Sequence, residues 1–117
     1  MNPISIGAIL SAIGVVLGAF GTHSLKGHIG YDLFDIFVTG TQYLLLHSFA
    51  IIFYGLSSAK AKWPLYCFGA GIFVFTGSLY IITFSGIREW GAVTPIGGVL
   101  FIAGWVGFAM QTWTKKV

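Results

Sequence analysis

Few side chains in this 117-residue chain can do chemistry, and most of them are embedded in apolar sequence. Thr39, Tyr43, His47 and Tyr54 follow one another at steps of four, four and seven, which keeps them on one face of a helix, with Gln42 alongside. Further on, Thr76, Tyr80 and Thr83 repeat the pattern, with Ser78 beside them. His47 is the sharpest member. An imidazole ionises near neutrality, so it could carry a proton or hold a ligand. It could equally stay neutral, donate to a hydroxyl or carbonyl, and fix helix packing, which is the reading favoured here. No carboxylate lies within the same apolar stretches to complete a proton relay, which argues against a proton-coupled pump.

Other chemistries find less support. His23 lies near the end of the first apolar stretch, whereas His47 lies roughly 20 Å deep at 1.5 Å per helical residue, so the two do not match in depth for haem ligation. A structural zinc site would need thiolates, and Cys67 is the single cysteine, which also removes disulfide and CxxC chemistry. There is no Ser-His-acid set, no paired carboxylates and no phosphate-binding loop, and the glycines between Gly14 and Gly21 do not follow a strand. The expectation is a protein without catalytic residues, metal or cofactor.

What must position these groups is set by charge. All nine charged residues fall into four short clusters: Lys26, Asp32 and Asp35; Lys60 and Lys62; Arg88 and Glu89; Lys115 and Lys116. The stretches between them are charge-free and about 25 residues long, where about 20 residues suffice to cross a hydrocarbon core. Only 8% of residues are charged and 56% are hydrophobic, too little charge to cover a surface in water. The expected fold is an all-α membrane protein, a four-transmembrane-helix bundle. It forms one domain over residues 1–117, with helices at about 4–21, 33–58, 65–84 and 95–113. The net charge of +3 belongs to loops, and no basic stripe with interleaved aromatics suggests nucleic acid. The lipid bilayer is the expected environment.

Lys60, Lys62, Lys115 and Lys116 share one side of such a bundle, and Lys26 and Arg88 the other, which places both termini in the cytoplasm. The first stretch reads as a retained helix rather than a signal peptide, because no Lys or Arg precedes it and it is long for an h-region.

Small residues then predict how the helices meet. Gly7, Ser11, Gly14 and Gly18 form a stripe that lets backbones approach closely in lipid, so the first helix should be central or lie at a subunit interface. The last helix opens with Thr94, Pro95, Gly97 and Gly98, where exposed amides could bind an anion or the glycines could press on the first helix. Close packing is favoured, since Gly104 and Gly107 extend the theme. Thr94, Pro95, Gly97 and Gly98, with His23, form a candidate interfacial motif, whereas Gly104 joins Gly7, Gly14 and Gly18 as a packing residue. The middle helices are antiparallel. Depth arithmetic therefore sets His47 level with Thr76, and Gln42 and Tyr43 level with Tyr80 and Thr83, along a hydrogen-bonded seam that Gly69 and Phe73 continue. Gln42, Tyr43, His47, Thr76, Ser78 and Tyr80 form a candidate polar pocket.

Several ordered motifs resemble a known family. Gly18-Ala19-Phe20-Gly21-Thr22-His23-Ser24-Leu25 is similar to the GAFGAHAL signature of the YgdD/YwdK-like small membrane proteins. Tyr43 with His47, the segment Phe75-Thr76-Gly77-Ser78-Leu79-Tyr80, and Thr94-Pro95-Ile96-Gly97-Gly98 followed by Gly104-Trp105 resemble its later elements. Thr22 and Thr76 depart mildly, standing where Ala and Ser are usual. The resemblance implies a four-helix integral membrane protein of the bacterial cytoplasmic membrane, with no activity and no catalytic residues to carry over. It marks His23, Tyr43, His47, Ser78, Tyr80 and Pro95 as motif positions.

The function expected is structural: an interaction module that assembles with itself or with another membrane protein. The alternative is a small-solute or lipid binding or transport protein working through the pocket around His47.

Overall fold

The computed structural model describes residues 1–114; the Lys115–Lys116 pair used above for orientation lies outside the described residues. Among the described residues, four helices are long and apolar enough to cross a membrane. Helix α1 is Pro3–Leu25, α2 is Tyr31–Leu56 and α3 is Trp63–Ser85. A short 3-10 segment, Arg88–Ala92, leads into α4, Thr94–Thr112. The molecule is 49 Å along its longest axis, which matches a bilayer of ~40–45 Å including headgroups.

Local chemistry sets these boundaries. Asn2 caps α1, its side chain accepting from the Ser5 amide at 2.9 Å, and Pro3 occupies the first turn where no amide partner is needed. Helix α3 stops at Gly86, whose φ of +72° takes a left-handed conformation that a side chain would resist. The α2–α3 connection is held by the Tyr54 hydroxyl, which donates to the Ala61 carbonyl at 2.5 Å. On the opposite side of the bundle Arg88 pairs with Asp32, joining the start of α2 to the segment before α4. Both partners are exposed, so solvent weakens that clasp.

Helices α2, α3 and α4 meet around a shared core, and α1 packs against α2. Helix α1 lies on α2, α2 on α3, and α3 on α4. A core of Leu44, Ala50, Ile51, Phe68, Ile72 and Phe101 fills the space among α2, α3 and α4. The α1–α2 contact is close because of glycine. A methyl at Gly7 would lie 2.7 Å from the Ser48 carbonyl, and one at Gly14 would lie 2.6 Å from the Leu45 side chain. Helix α1 is therefore not central within the chain, as its glycine stripe suggested. The stripe serves a single neighbour, Leu10 and Leu17 reach the edge of the core, and the outward face with Ala8, Ala12 and Val15 stays exposed.

Two further expectations need correction. Gly97 does not meet α1: a methyl there would lie 2.5 Å from the backbone nitrogen of Phe75, so α4 presses on α3. Gly98 has open space beside it. The line from Gly69 and Phe73 to Thr76 and Tyr80 is also broken, because Phe73 is 82% exposed while Thr76 is buried. The cause is a π turn at Ile72–Thr76. One extra residue in the turn rotates everything after it by roughly 100°, the angle one residue occupies in an α-helix. Thr76, Tyr80 and Thr83 thereby swing toward α2, and Gly69 and Phe73 are left facing outward.

Candidate functional site

His47 sits midway along α2 and is 2% exposed. Its Nδ1 lies 2.8 Å from the Tyr43 carbonyl, one helical turn back. Its Nε2 lies 3.1 Å from the indole Nε1 of Trp105, on α4. A carbonyl only accepts and an indole N–H only donates, so the two partners fix the ring as the neutral tautomer with its proton on Nδ1. Both nitrogens are then used. No lone pair is left for a metal or a solute in this geometry.

Aromatic rings wall the imidazole in. Phe101 of α4 stacks on it with centroids 3.5 Å apart and planes 8° from parallel. Phe68 of α3 lies 6.0 Å away, and edge-to-face contact joins Phe68 to Trp105 at 5.2 Å. Tyr43 stacks on Phe75 at 4.5 Å. Glycine makes room for this layer: a side chain at Gly71 would run into the Phe101 ring, and one at Gly104 into the Phe68 ring.

Nearer the Arg88 side, hydroxyls tie the helices together. Thr41 donates to the Phe37 carbonyl at 3.0 Å, so it accepts from the Tyr80 hydroxyl at 2.6 Å. Thr76 donates to the Gly40 carbonyl at 2.9 Å, and Gly40 has no side chain to block the approach. Ser78 donates to the Phe75 carbonyl and therefore accepts from Thr94 at 2.6 Å, which links α3 to the start of α4. The Tyr80 ring stacks on Phe37 at 4.8 Å.

The six residues of the expected polar pocket consequently do not share a cavity. His47 turns to α4 rather than to Thr76. Thr76, Ser78 and Tyr80 spend their hydroxyls on neighbouring helices, and Gln42 lies on a groove between α1 and α2 with Gly18, Gly21 and Thr22. The interfacial motif is likewise dispersed: Thr94 and Gly97 meet α3, whereas His23 is exposed in the π turn Gly21–Leu25 that ends α1. Among the described residues, no group of three His, Cys, Asp or Glu side chains is placed to hold a metal ion.

Thr41, Gly40 and Trp105 carry interhelical contacts and were not singled out by composition or spacing. Trp105 had a signal. An indole halfway along an apolar span has an N–H that needs a partner, and only a polar group on a facing helix can supply one.

Four apolar helices joined by buried hydroxyl and imidazole bonds define a small polytopic membrane protein. Comparison with known proteins places the chain within a family. The model described as "Protein of unknown function (DUF423)" matches residues 17–98, and the chain belongs to that family. It is 40% identical to the UPF0382 membrane protein YwdK of Bacillus subtilis over 112 residues, covering 88% of this chain and 89% of the relative. Identity to the UPF0382 inner membrane protein YgdD of Escherichia coli K12 is 39% over 105 residues, covering 84% and 79%. A Staphylococcus aureus relative, UPF0382 membrane protein SAB0533, is 37% identical over 113 residues, covering 93% of each chain. No solved structure matches.

Proposed function

We propose that this protein is a non-catalytic interaction module of the bacterial cytoplasmic membrane, and that it engages a neighbouring transmembrane helix through the outer face of α1. One observation carries the reading. Helix α1 has a second small-residue face: Ala8, Ala12, Val15 and Ala19 recur at steps of four, three and four, and all are exposed. Small side chains at that spacing let another helix approach closely in lipid, where dispersion replaces the hydrophobic effect. The inner stripe already holds α2, so the outer one is free for a partner. The saturation of His47 supports the same reading, since it leaves solute transport through that ring without an open polar atom.

Cysteine placed at Ala12 tests the proposal by oxidative crosslinking in native membranes, with cysteine at Val99 on α4 as the control. Adducts at Ala12 and none at Val99 are expected. Recovery of free monomer alone from the Ala12 variant would remove the reading.

Both termini face the cytoplasm in this proposal, with Lys60 and Lys62 on the same side. Labelling a cysteine in place of Ser58 from inside but not outside the cell supports that orientation, and the reverse pattern opposes it.

A further inference from the structure

The surface of α3 carries a groove that the hydrogen-bonded seam does not use. It has a volume of about 360 Å³ and is almost wholly apolar, bounded by Ile72, Gly77 and Ile81 on α3, Leu44 on α2, and Trp90 and Val93 before α4. It starts at Ile72, near the middle of α3, and ends at Trp90 in the connecting segment. Ile72 to Ile81 spans roughly 14 Å of helix, close to the ~15 Å of hydrocarbon in a single leaflet. A shallow depression of about 250 Å³ lies against the same Trp90 and Val93 and adds Glu89. The groove is about one leaflet deep and ends at the Trp90 indole, with the Glu89 carboxylate next to that residue.

The charges at the mouth select the occupant. Arg88 is engaged by Asp32, whereas the Glu89 carboxylate has no ion pair among the described residues. An unpaired carboxylate beside an indole attracts a cation, by charge and by the ring's negative face. An anionic headgroup would meet repulsion there. The π turn shapes the apolar part, because it rotates Thr76, Ser78 and Tyr80 so that their hydroxyls are engaged by Gly40, Thr94 and Thr41, and the lining is almost wholly apolar.

We infer that this groove binds one zwitterionic membrane lipid whose headgroup ends in an ammonium, with one acyl chain along α3 and the ammonium between Glu89 and Trp90. The site lies on α3 and the segment before α4, away from the α1 face, so the two proposals stand or fall separately.

The test uses the full chain in vesicles of phosphatidylglycerol containing phosphatidylethanolamine with brominated acyl chains, or brominated phosphatidylglycerol at the same mole fraction. Bromine quenches nearby tryptophan, and subtracting the signal of a Trp90→Phe variant isolates Trp90. Enrichment of the ethanolamine lipid at Trp90 by roughly two- to fivefold is expected, the factor that an exposed cation–aromatic contact supports. Glu89→Gln should abolish the preference. Glu89 is exposed and unpaired, so that variant keeps the fold. Equal quenching by the two lipids, stronger quenching by the glycerol lipid, or a preference untouched by Glu89→Gln would each overturn the inference. Native mass spectrometry provides a reading independent of Trp90→Phe: ethanolamine lipid retained by the native chain and lost from Glu89→Gln supports the site, and equal retention by both refutes it.

Discussion

The indole N–H of Trp105 donates to Nε2 of His47 at 3.1 Å, and this contact is the polar link between α4 and α2 at the level of the aromatic layer. It gives the imidazole one fixed tautomer, because the Tyr43 carbonyl must take the proton on Nδ1. Nitrogen NMR of labelled protein in micelles should show a protonated Nδ1 and a bare Nε2. The opposite assignment would mean that the indole is not the donor.

The same pair should be coupled energetically. In a double-mutant cycle of His47→Phe and Trp105→Phe, we expect a coupling of about 0.6 kcal/mol, with about 1.7 kcal/mol as the upper bound for such bonds in lipid. Reversible unfolding in mixed micelles measures it. Strict additivity of the single variants would show that the contact contributes packing alone.

Glycines 97 and 98 offer a direct contrast. A methyl at Gly97 meets the backbone of Phe75, which cannot step aside, whereas a methyl at Gly98 meets nothing within 4 Å. Gly97→Ala should lose roughly 1–3 kcal/mol, the range for forced overpacking. Gly98→Ala should leave the thermal midpoint unchanged or slightly raised. Equal effects at the two positions would contradict the α3–α4 interface described here.

Tyr80 separates hydroxyl from ring. Tyr80→Phe removes the bond to Thr41 but keeps the stack on Phe37, so it should cost about 0.6 kcal/mol. Tyr80→Ala also removes the ring and should cost several times more. Chemical denaturation of the two variants side by side distinguishes them, and similar losses would place the stabilisation in the hydroxyl.

These residues also show what the sequence could reveal. Charge clusters mark the ends of the helices, because an unpaired charge in hydrocarbon is too costly to place anywhere else. The hydroxyls of Thr76 and Tyr80 signal contacts with α2, since polar groups in lipid need partners. Depth along each helix follows from counting only coarsely. Thr76 meets Gly40 and Thr83 meets Leu33, about two turns of α2 from His47 and Gln42, the levels that counting gives, while His47 faces Phe68. Rotation about each helix is less legible still: steps of four from Tyr43 and His47 leave Gln42 beside the polar face, whereas its neighbour Thr41 is the residue that meets Tyr80. Nor does counting identify partners: the stripe of Gly7 and Gly14 signals close packing without saying that α2 is the neighbour. The largest discrepancy, at Phe73, comes from the π turn. No proline marks it, and its five residues, Ile72–Thr76, read as ordinary apolar helix.

That turn makes the most demanding prediction. A π turn accommodates one residue more than a regular helix needs, so removing one residue inside it should restore an α-helix and leave both flanks facing as before. Phe73 is the residue to remove, because it is 82% exposed and supplies no interhelical bond. Deleting it should preserve the contacts of Phe68 and Gly71 on one side and of Thr76, Ser78 and Tyr80 on the other. The variant should remain monodisperse and nearly as heat-stable as the native chain. Deleting Leu46 is the matched control, since it is 50% exposed but lies in the regular helix α2. Its loss turns half of α2 by roughly 100° and pulls Thr41 and His47 out of mutual register, so that variant should not fold. Tolerance at Phe73 together with failure at Leu46 would identify the π turn as an accommodated insertion. Failure at both would mean that the wide turn is itself required to aim Thr76 at Gly40.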